Sequence, residues 1–155
     1  MATRTAHDFT GGETPAAAVF DGLPGGWLGW IESTSDQTGI TSEVDVTSVT
    51  LTVTVNASRR IKISVGGMVS AVTNDAAAVG RINKDGSNAG TWCRTGTITA
   101  GNDWQCFGSW IDTPSTGSHI YKATIARSSG TGTITVSGTS PGRCWILVED
   151  IGPAS

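Results

Sequence analysis

One run of alternating residues constrains this chain more than any other feature. From Val49 to Val55 every second residue is apolar, and a threonine occupies each position between. Successive side chains of a β-strand point to opposite faces, so this pattern predicts a strand with one buried and one exposed face. Threonine is β-branched and suits such a pleated surface. We expect the buried face to carry Val49, Leu51, Val53 and Val55, and the outer face to carry Thr50, Thr52 and Thr54.

Similar strand patterns recur along the rest of the chain, separated by turn-forming residues and without a helical period. In the strand expected at 60–72, Gly66 and Gly67 indicate a bulge or a close backbone approach. Short strands at regular spacing predict an all-β fold, and we expect a jelly-roll sandwich of two antiparallel sheets. The other strands are expected at 27–31, 44–48, 77–83, 91–98, 104–110, 119–127, 133–138 and 144–150.

The 155 residues suit one domain preceded by an extension. Residues 1–26 are rich in glycine, alanine and proline, which is typical of an extended arm, and residues 27–155 carry the strand patterns. Such an arm buries too little apolar surface to fold alone, yet it contains four apolar side chains that are poorly suited to water. These candidate anchoring residues are Phe9, Val19, Phe20 and Leu23.

The charge pattern argues against several classes of partner. Charged residues make up 15% of the chain, the formal net charge is -3, and the basic residues are scattered. We therefore expect no nucleic-acid partner, because phosphate backbones attract clustered lysine and arginine. No apolar stretch is long enough to cross a membrane, and the first residues do not resemble a secretory signal. We expect a protein made in a cytoplasm, with no membrane partner.

Three cysteines leave two interpretations open. Cys93, Cys106 and Cys144 are an odd number in a chain without a secretory signal, which favours reduced, buried thiols. Cys93 and Cys106 flank an expected hairpin turn near Ala100-Gly101. Directly opposite positions in that hairpin would permit a disulfide, whereas diagonal positions would be too far apart.

The search for catalytic and metal-binding residues identifies none. His7 and His119 lie in no catalytic motif, and no nucleophile elbow is present. The stretch from Asn83 to Asn88 resembles part of a calcium loop, but Arg94 stands where a bidentate glutamate is needed, so a hairpin turn is favoured. We expect a protein that is not an enzyme and that needs no cofactor.

The six tryptophans are many for a chain of this length, and all lie on or beside expected strands. Core packing or a subunit interface is favoured, because tryptophan buries a large area in both settings. Stacking against a sugar ligand is the alternative. The candidate interface residues are Trp27, Trp30, Trp110, Trp145 and Leu147.

Several motifs, in this order, resemble a family of small virion proteins encoded by tailed phages of actinobacteria. The chain closes on WILVEDIGP at 145–153, and near its start lie GWLGW at 26–30 and DQTGITSEVDVT at 36–47. Between them are TPSTGSH at 113–119 and ARSSGTGT at 126–133. The resemblance covers residues 26–155, and the family is usually labelled minor tail or capsid decoration protein.

This resemblance implies a jelly roll of the tumour-necrosis-factor and C1q type that assembles as a homotrimer in the virion. The expected function is capsid decoration, with the arm bound to the major capsid protein on the outer capsid surface. The alternative is a minor tail or fibre-tip protein that binds a host surface glycan. The chain contains no heptads or collagen-like repeats for a fibre shaft, which favours decoration.

Overall fold

The computed structural model describes residues 25–154, which form ten β-strands and no helix. The arm residues Phe9, Val19, Phe20 and Leu23 therefore lie outside the described residues, and so does His7. No described segment is a helix that could cross a membrane. The strands are β1 Gly26–Glu32, β2 Gln37–Ile40, β3 Val44–Val55, β4 Arg59–Val72, β5 Ala76–Lys84, β6 Ser87–Arg94, β7 Asp103–Asp112, β8 Gly117–Gly130, β9 Thr133–Val136 and β10 Trp145–Pro153.

The strands pair in two antiparallel sheets that pack face to face. The larger sheet has the order β1-β10-β4-β9-β2, with β7 on the other edge of β4, and the smaller has the order β3-β8-β5-β6. The pairing is nested along the chain, since β1 pairs with β10, β3 with β8, β4 with β7 and β5 with β6. This is the all-β jelly-roll sandwich of two antiparallel sheets that we expected.

Strand β3 confirms the alternation that the sequence predicts. Val49, Val53 and Val55 are buried in the core and Leu51 packs against it, while the three threonines between them are exposed. The buried side chains of both sheets form one continuous cluster between the layers. Each fully buried valine or isoleucine contributes about 1.5–3 kcal/mol, so this cluster is the main source of stability.

The paired glycines of β4 mark a close approach and not a bulge. The ladder between β4 and β7 runs without a register shift from Ile61 to Ser70, through both glycines. A Cβ atom on Gly66 would lie 2.7 Å from the Trp145 ring, and one on Gly67 would lie 2.8 Å from the Cα of Cys144. Glycine is therefore required here because neighbouring atoms occupy the space of a side chain.

Cys93 and Cys106 form a disulfide, so the expectation of three reduced thiols is wrong. The bridge also does not close a hairpin. The chain between the two cysteines passes from β6 at the edge of the smaller sheet to β7 at the edge of the larger one, which brings the two Cα atoms to 5.1 Å. That separation lies within the range of protein disulfides. Cys144 is buried and free, and burial raises its pKa to about 12.

A tight turn joins β5 to β6 and confirms the hairpin expected at 83–88. Asp85 and Gly86 have positive φ angles of 50° and 88°, and Lys84 pairs directly with Ser87. A two-residue turn of this kind favours aspartate followed by glycine. Because the turn is so short, β6 begins at Ser87 and ends at Arg94, earlier than the expected 91–98. Ile98 makes only an isolated bridge.

Candidate functional site

The outer face of the larger sheet is built from β1, β10, β4 and β7. Burial alternates along β10, where Ile146 and Val148 are fully buried and the residues on either side of each are partly exposed. Trp145, Leu147 and Glu149 therefore point away from the core. These three residues form the middle of a surface that we call the aromatic face.

A bulge in β1 places two tryptophans on this face. Trp27 pairs with Glu149 and Trp30 with Leu147, with a register shift between Trp27 and Gly29. Strict alternation would direct side chains three residues apart to opposite faces, and the extra residue in the bulge cancels that effect. Trp27 is 72% exposed and Trp30 is 47% exposed.

Strand β7 forms the opposite edge of the aromatic face. Phe107 is 64% exposed and Ile111 is 47% exposed, with the smaller, exposed Ser109 between them. Trp110 differs from the other candidate interface residues, because it lies on the inner side of β7 and packs against the core. A Cβ atom added to Gly90 would lie 3.1 Å from the Cβ of Trp110, so a larger residue at position 90 would crowd Trp110. The structure thus brings together four of the five candidates and separates Trp110 from them.

The strand registers arrange the aromatic face in three cross-strand rows. Each row runs from β1 through β10 and β4 to β7. The rows are Trp27–Glu149–Lys62–Ile111, then Trp30–Leu147–Ser64–Ser109, and then Glu32–Trp145–Gly66–Phe107. Large apolar side chains therefore occur at both edges. Two ion pairs involve residues of the rows: Lys62 with Glu149, at 3.8 Å, in the first row, and Glu32 with Arg143 in the third.

A groove of about 390 Å³ lies at the third row, beside the loop that joins β9 to β10. Gly66 and Gly67 form its floor, and the rings of Phe107 and Trp145 stand on it with centroids 6.0 Å apart. The remaining lining is Gln105, Cys106, Pro141, Gly142 and Arg143. The groove thus combines aromatic rings with polar donors, a composition that suits a small polar ligand.

His119 is a hydrogen-bonded structural residue. Its Nδ1 lies 2.8 Å from an Asp85 carboxylate oxygen, and its Nε2 lies 2.8 Å from the backbone carbonyl oxygen of Ser115. The Asp85 hydrogen bond, followed by the bond to Ser115, raises the pKa of His119. The same hydrogen bond lowers the pKa of Asp85. Both ring nitrogens are engaged, which leaves neither to accept a proton from a substrate.

Other buried polar groups near this end of the sandwich hold strands together. The Tyr121 hydroxyl donates to Asp112 Oδ2 at 2.9 Å, and Lys84 Nζ lies 2.6 Å from the same oxygen. Burial, with this hydrogen bond, raises the pKa of Tyr121. Within residues 25–154, no group of three or more histidine, cysteine, aspartate or glutamate side chains could hold a metal ion.

Asp150 holds the start of β1 through its hydrogen bonds. Its carboxylate accepts hydrogen bonds from Arg59 Nε at 2.8 Å and from the Gly152 backbone N–H at 2.9 Å, and the Gly25 backbone adds another. Burial opposes its ionisation, but these hydrogen bonds outweigh burial and lower the pKa of Asp150. The start of β1 is therefore held at the end of the sandwich where β10 ends.

No family profile matches the sequence, and no curated protein matches it. Among solved structures, the chain is similar to the sugar-binding C-terminal domain of EclA, with 12% identity and a TM-score of 0.42, over 75% of this chain and 78% of that one. It is also similar to murine APRIL, with 16% identity and a TM-score of 0.42, over 77% of this chain and 97% of that one. A chain of infectious bursal disease virus Gx strain matches with 12% identity and a TM-score of 0.45, over 84% of this chain and 39% of its own. Similarity at this level concerns the general shape of a β-sandwich and carries no information about binding.

Proposed function

We propose that this chain is a structural protein of a phage virion, that it assembles as a homotrimer, and that it catalyses no reaction. The observation that carries this proposal is the aromatic face, which leaves Trp27, Trp30, Phe107 and Ile111 in solvent on one side of a sandwich. Several large apolar side chains exposed on one face favour an interaction site in soluble proteins. A symmetric assembly of identical chains is the commonest way to cover it.

The motifs that resemble the phage virion family support the same proposal. The GWLGW motif forms β1 and the WILVEDIGP motif forms β10, and these two strands pair with each other. Together they supply Trp27, Trp30, Trp145 and Leu147 to the aromatic face. Two of the five motifs that carry the resemblance therefore supply four residues of the candidate interface.

The proposed location is the outer surface of the capsid, and the proposed partner is the major capsid protein. Residues 1–26 serve as the anchor, with Phe9, Val19, Phe20 and Leu23 as its apolar contacts. Asp150 holds Gly25 at one end of the sandwich, so three parallel copies present three arms at the same end. One arm binds weakly because its ordering costs backbone entropy, whereas three linked arms gain avidity from effective concentration.

Copy number in purified virions tests the location directly. Quantitative mass spectrometry against the major capsid protein is expected to find hundreds of copies for a decoration protein, whereas a handful would assign the chain to the tail. Deletion of residues 1–23 is expected to leave a soluble trimer that no longer binds capsids. Full occupancy of capsids by the truncated trimer would show that the anchor lies elsewhere.

A second candidate function is glycan binding at the tail, and the groove beside Trp145 is the observation that favours it. The Trp145 and Phe107 rings offer stacking surfaces, and Arg143 and Gln105 offer hydrogen-bond donors to hydroxyl groups. Titration with host cell-wall polysaccharide tests this function. Saturable binding that is lost in Trp145→Ala supports it, and the absence of binding to the wild-type chain rejects it.

A further inference from the structure

We infer that the trimer closes head to tail, with Trp30 of one copy seated over Ser109 of the next, between Phe107 and Ile111. This inference rests on the proposed trimer and specifies how its subunits meet. It commits the aromatic face to one occupant, which is a second copy of this chain. The inference depends on three observations: the position of the two edges, the register of the rows, and the exposed apolar area.

The two edges of the aromatic face suit a closed ring. A threefold assembly uses a heterologous contact, in which two different patches of the same chain meet. In the described part of the larger sheet, β1 pairs only with β10 and β7 only with β4, so these strands form opposite edges of one face. When three such faces surround an axis, the β1 edge of each copy meets the β7 edge of the next.

The register of the rows sets which side chains meet. If the strands run along the threefold axis, residues of one row lie at the same height in every copy. Trp30 and Ser109 belong to the same row, at its β1 end and its β7 end. Trp30 of one copy therefore meets Ser109 of the next and not another part of β7.

The shape of β7 at that height is complementary to an indole ring. Phe107 and Ile111 each lie two residues from Ser109 on the same face, at a spacing of about 7 Å along the strand. Both are large and exposed, while Ser109 between them is small. The edge therefore presents a notch with apolar walls, and Trp30 projects from the opposite edge. The neighbouring row brings the exposed Trp27 to the level of Ile111.

The exposed area supplies a substantial part of what such an interface requires. From their exposed fractions, Trp27, Trp30 and Phe107 together leave roughly 300–400 Å² of aromatic surface in water. A standard interface buries about 1,600 Å² over both partners, of which roughly 900 Å² is apolar. Because Trp27 and Trp30 come from one copy and Phe107 from the next, these three side chains supply between about a third and a half of the apolar area of one subunit contact. The outer face of the smaller sheet offers only Ile120 among its large apolar side chains, at 45% exposure.

A mixing experiment with two full-length variants tests the pairing. Trp30→Ala removes the projecting side chain and keeps the notch, whereas Ser109→Trp fills the notch and keeps the projecting side chain. Each variant alone is expected to lose trimers, with an association constant reduced roughly thirtyfold or more, as for an interface hot spot. A 1:1 mixture is expected to form dimers and nothing larger. In such a dimer, Trp30 of the Ser109→Trp variant meets Ser109 of the Trp30→Ala variant, and no further intact contact is left to add a third chain. The matched control is Ile120→Ala, which is expected to stay trimeric.

The outcomes separate this inference from the proposed function. A monomeric wild-type chain contradicts the proposed trimer itself. A trimeric wild type whose two variants also remain trimeric contradicts only the pairing of Trp30 with Ser109. Variants that become monomers but do not form dimers when mixed contradict the head-to-tail arrangement.

Cross-linking provides a second test, in which a disulfide between positions 30 and 109 replaces the contact that the Trp30 side chain makes. In a chain carrying both Trp30→Cys and Ser109→Cys, oxidation is expected to yield covalent species that end at three chains on a non-reducing gel. Each single cysteine variant is the control and is expected to give no covalent trimer. If the double variant gives no covalent trimer while it remains trimeric in solution, the two positions do not meet and the inference is wrong.

Discussion

The outer faces of the two sheets are made from the same kind of pleated surface, but they differ in chemistry. On the smaller sheet, Thr50, Thr52 and Thr54 are exposed, and two pairs of oppositely charged side chains contact each other. Glu43 lies 2.6 Å from Arg81, and Asp45 lies 2.7 Å from Lys122. On the larger sheet, the aromatic face exposes tryptophan, phenylalanine and isoleucine.

The difference identifies the side of the molecule that needs a partner. Threonine hydroxyls and exposed ion pairs are well solvated, so the outer face of the smaller sheet can remain in water. Such exposed pairs add only about 0–1 kcal/mol each to the free energy of unfolding. Exposed aromatic rings gain free energy when another surface removes them from water. The aromatic face is therefore the surface on which assembly is expected. The outer face of the smaller sheet, with Thr50, Thr52 and Thr54, is called the threonine face and serves as the control surface for substitutions.

The largest expected effect compares the two sides of β3. Val53→Asp places an unpaired charge in the core, at a cost of about 4 kcal/mol or more, a large share of the stability of a domain of this size. We expect an unfolded or insoluble product by far-UV circular dichroism. Thr52→Asp, one residue away on the exposed face, is the control and is expected to fold normally. A soluble, folded Val53→Asp variant would show that the two faces of β3 are reversed.

The next effect concerns the disulfide that ties β7, an edge of the aromatic face, to the smaller sheet. Cys93 and Cys106 are 13 residues apart in sequence, and closing a loop of that length in the unfolded chain is worth about 3 kcal/mol. Replacing both cysteines with serine is expected to lower the midpoint of urea unfolding accordingly. Reductant is expected to destabilise the wild type and to leave the double variant unchanged. Equal midpoints for the oxidised wild type and the double variant would contradict this contribution.

A smaller effect is expected from pH, through the contact between His119 and Asp85. The pKa of His119 is raised in the folded chain. The contribution of protonated His119 to the free energy of unfolding is therefore complete below the unfolded pKa near 6.5 and is lost as pH rises through the folded pKa. The pKa of Asp85 is lowered, so its contribution is lost when pH falls below about 4 towards the folded value. As pH rises from about 6.5 through the folded pKa of His119, stability is expected to decline by about 1 kcal/mol, and His119→Gln is expected to flatten that decline. An unchanged pH profile of unfolding in that variant would exclude this role.

Local patterns were sufficient to predict much of the fold. The alternation in β3 depends only on neighbouring residues, and so does the tight turn at Asp85 and Gly86. Both are found where the sequence predicts them. The two glycines of β4 predict either a bulge or a close approach, and the structure shows the close approach, made by the Trp145 ring and the Cys144 backbone.

Features that depend on distant residues were missed. The short strand β2 has no apolar alternation, and it is held by pairing with β9 almost a hundred residues later. The sequence left the Cys93–Cys106 disulfide open as an alternative within a hairpin, whereas the bridge depends on the passage of the chain from one sheet to the other. Trp27 and Trp30 share a face only because of the bulge in β1, and Trp110 turns inwards because it lies in phase with Cys106.

The mass of the full-length chain in solution tests the central claim most directly. Light scattering at micromolar concentration is expected to give three times the 15.9 kDa mass of the chain. Leu147→Lys, in the middle of the aromatic face, is expected to return the mass to that of one chain, while Thr52→Lys on the threonine face is expected to leave the trimer intact. A wild-type mass of 15.9 kDa, or a trimer disrupted by Thr52→Lys and not by Leu147→Lys, would contradict the account.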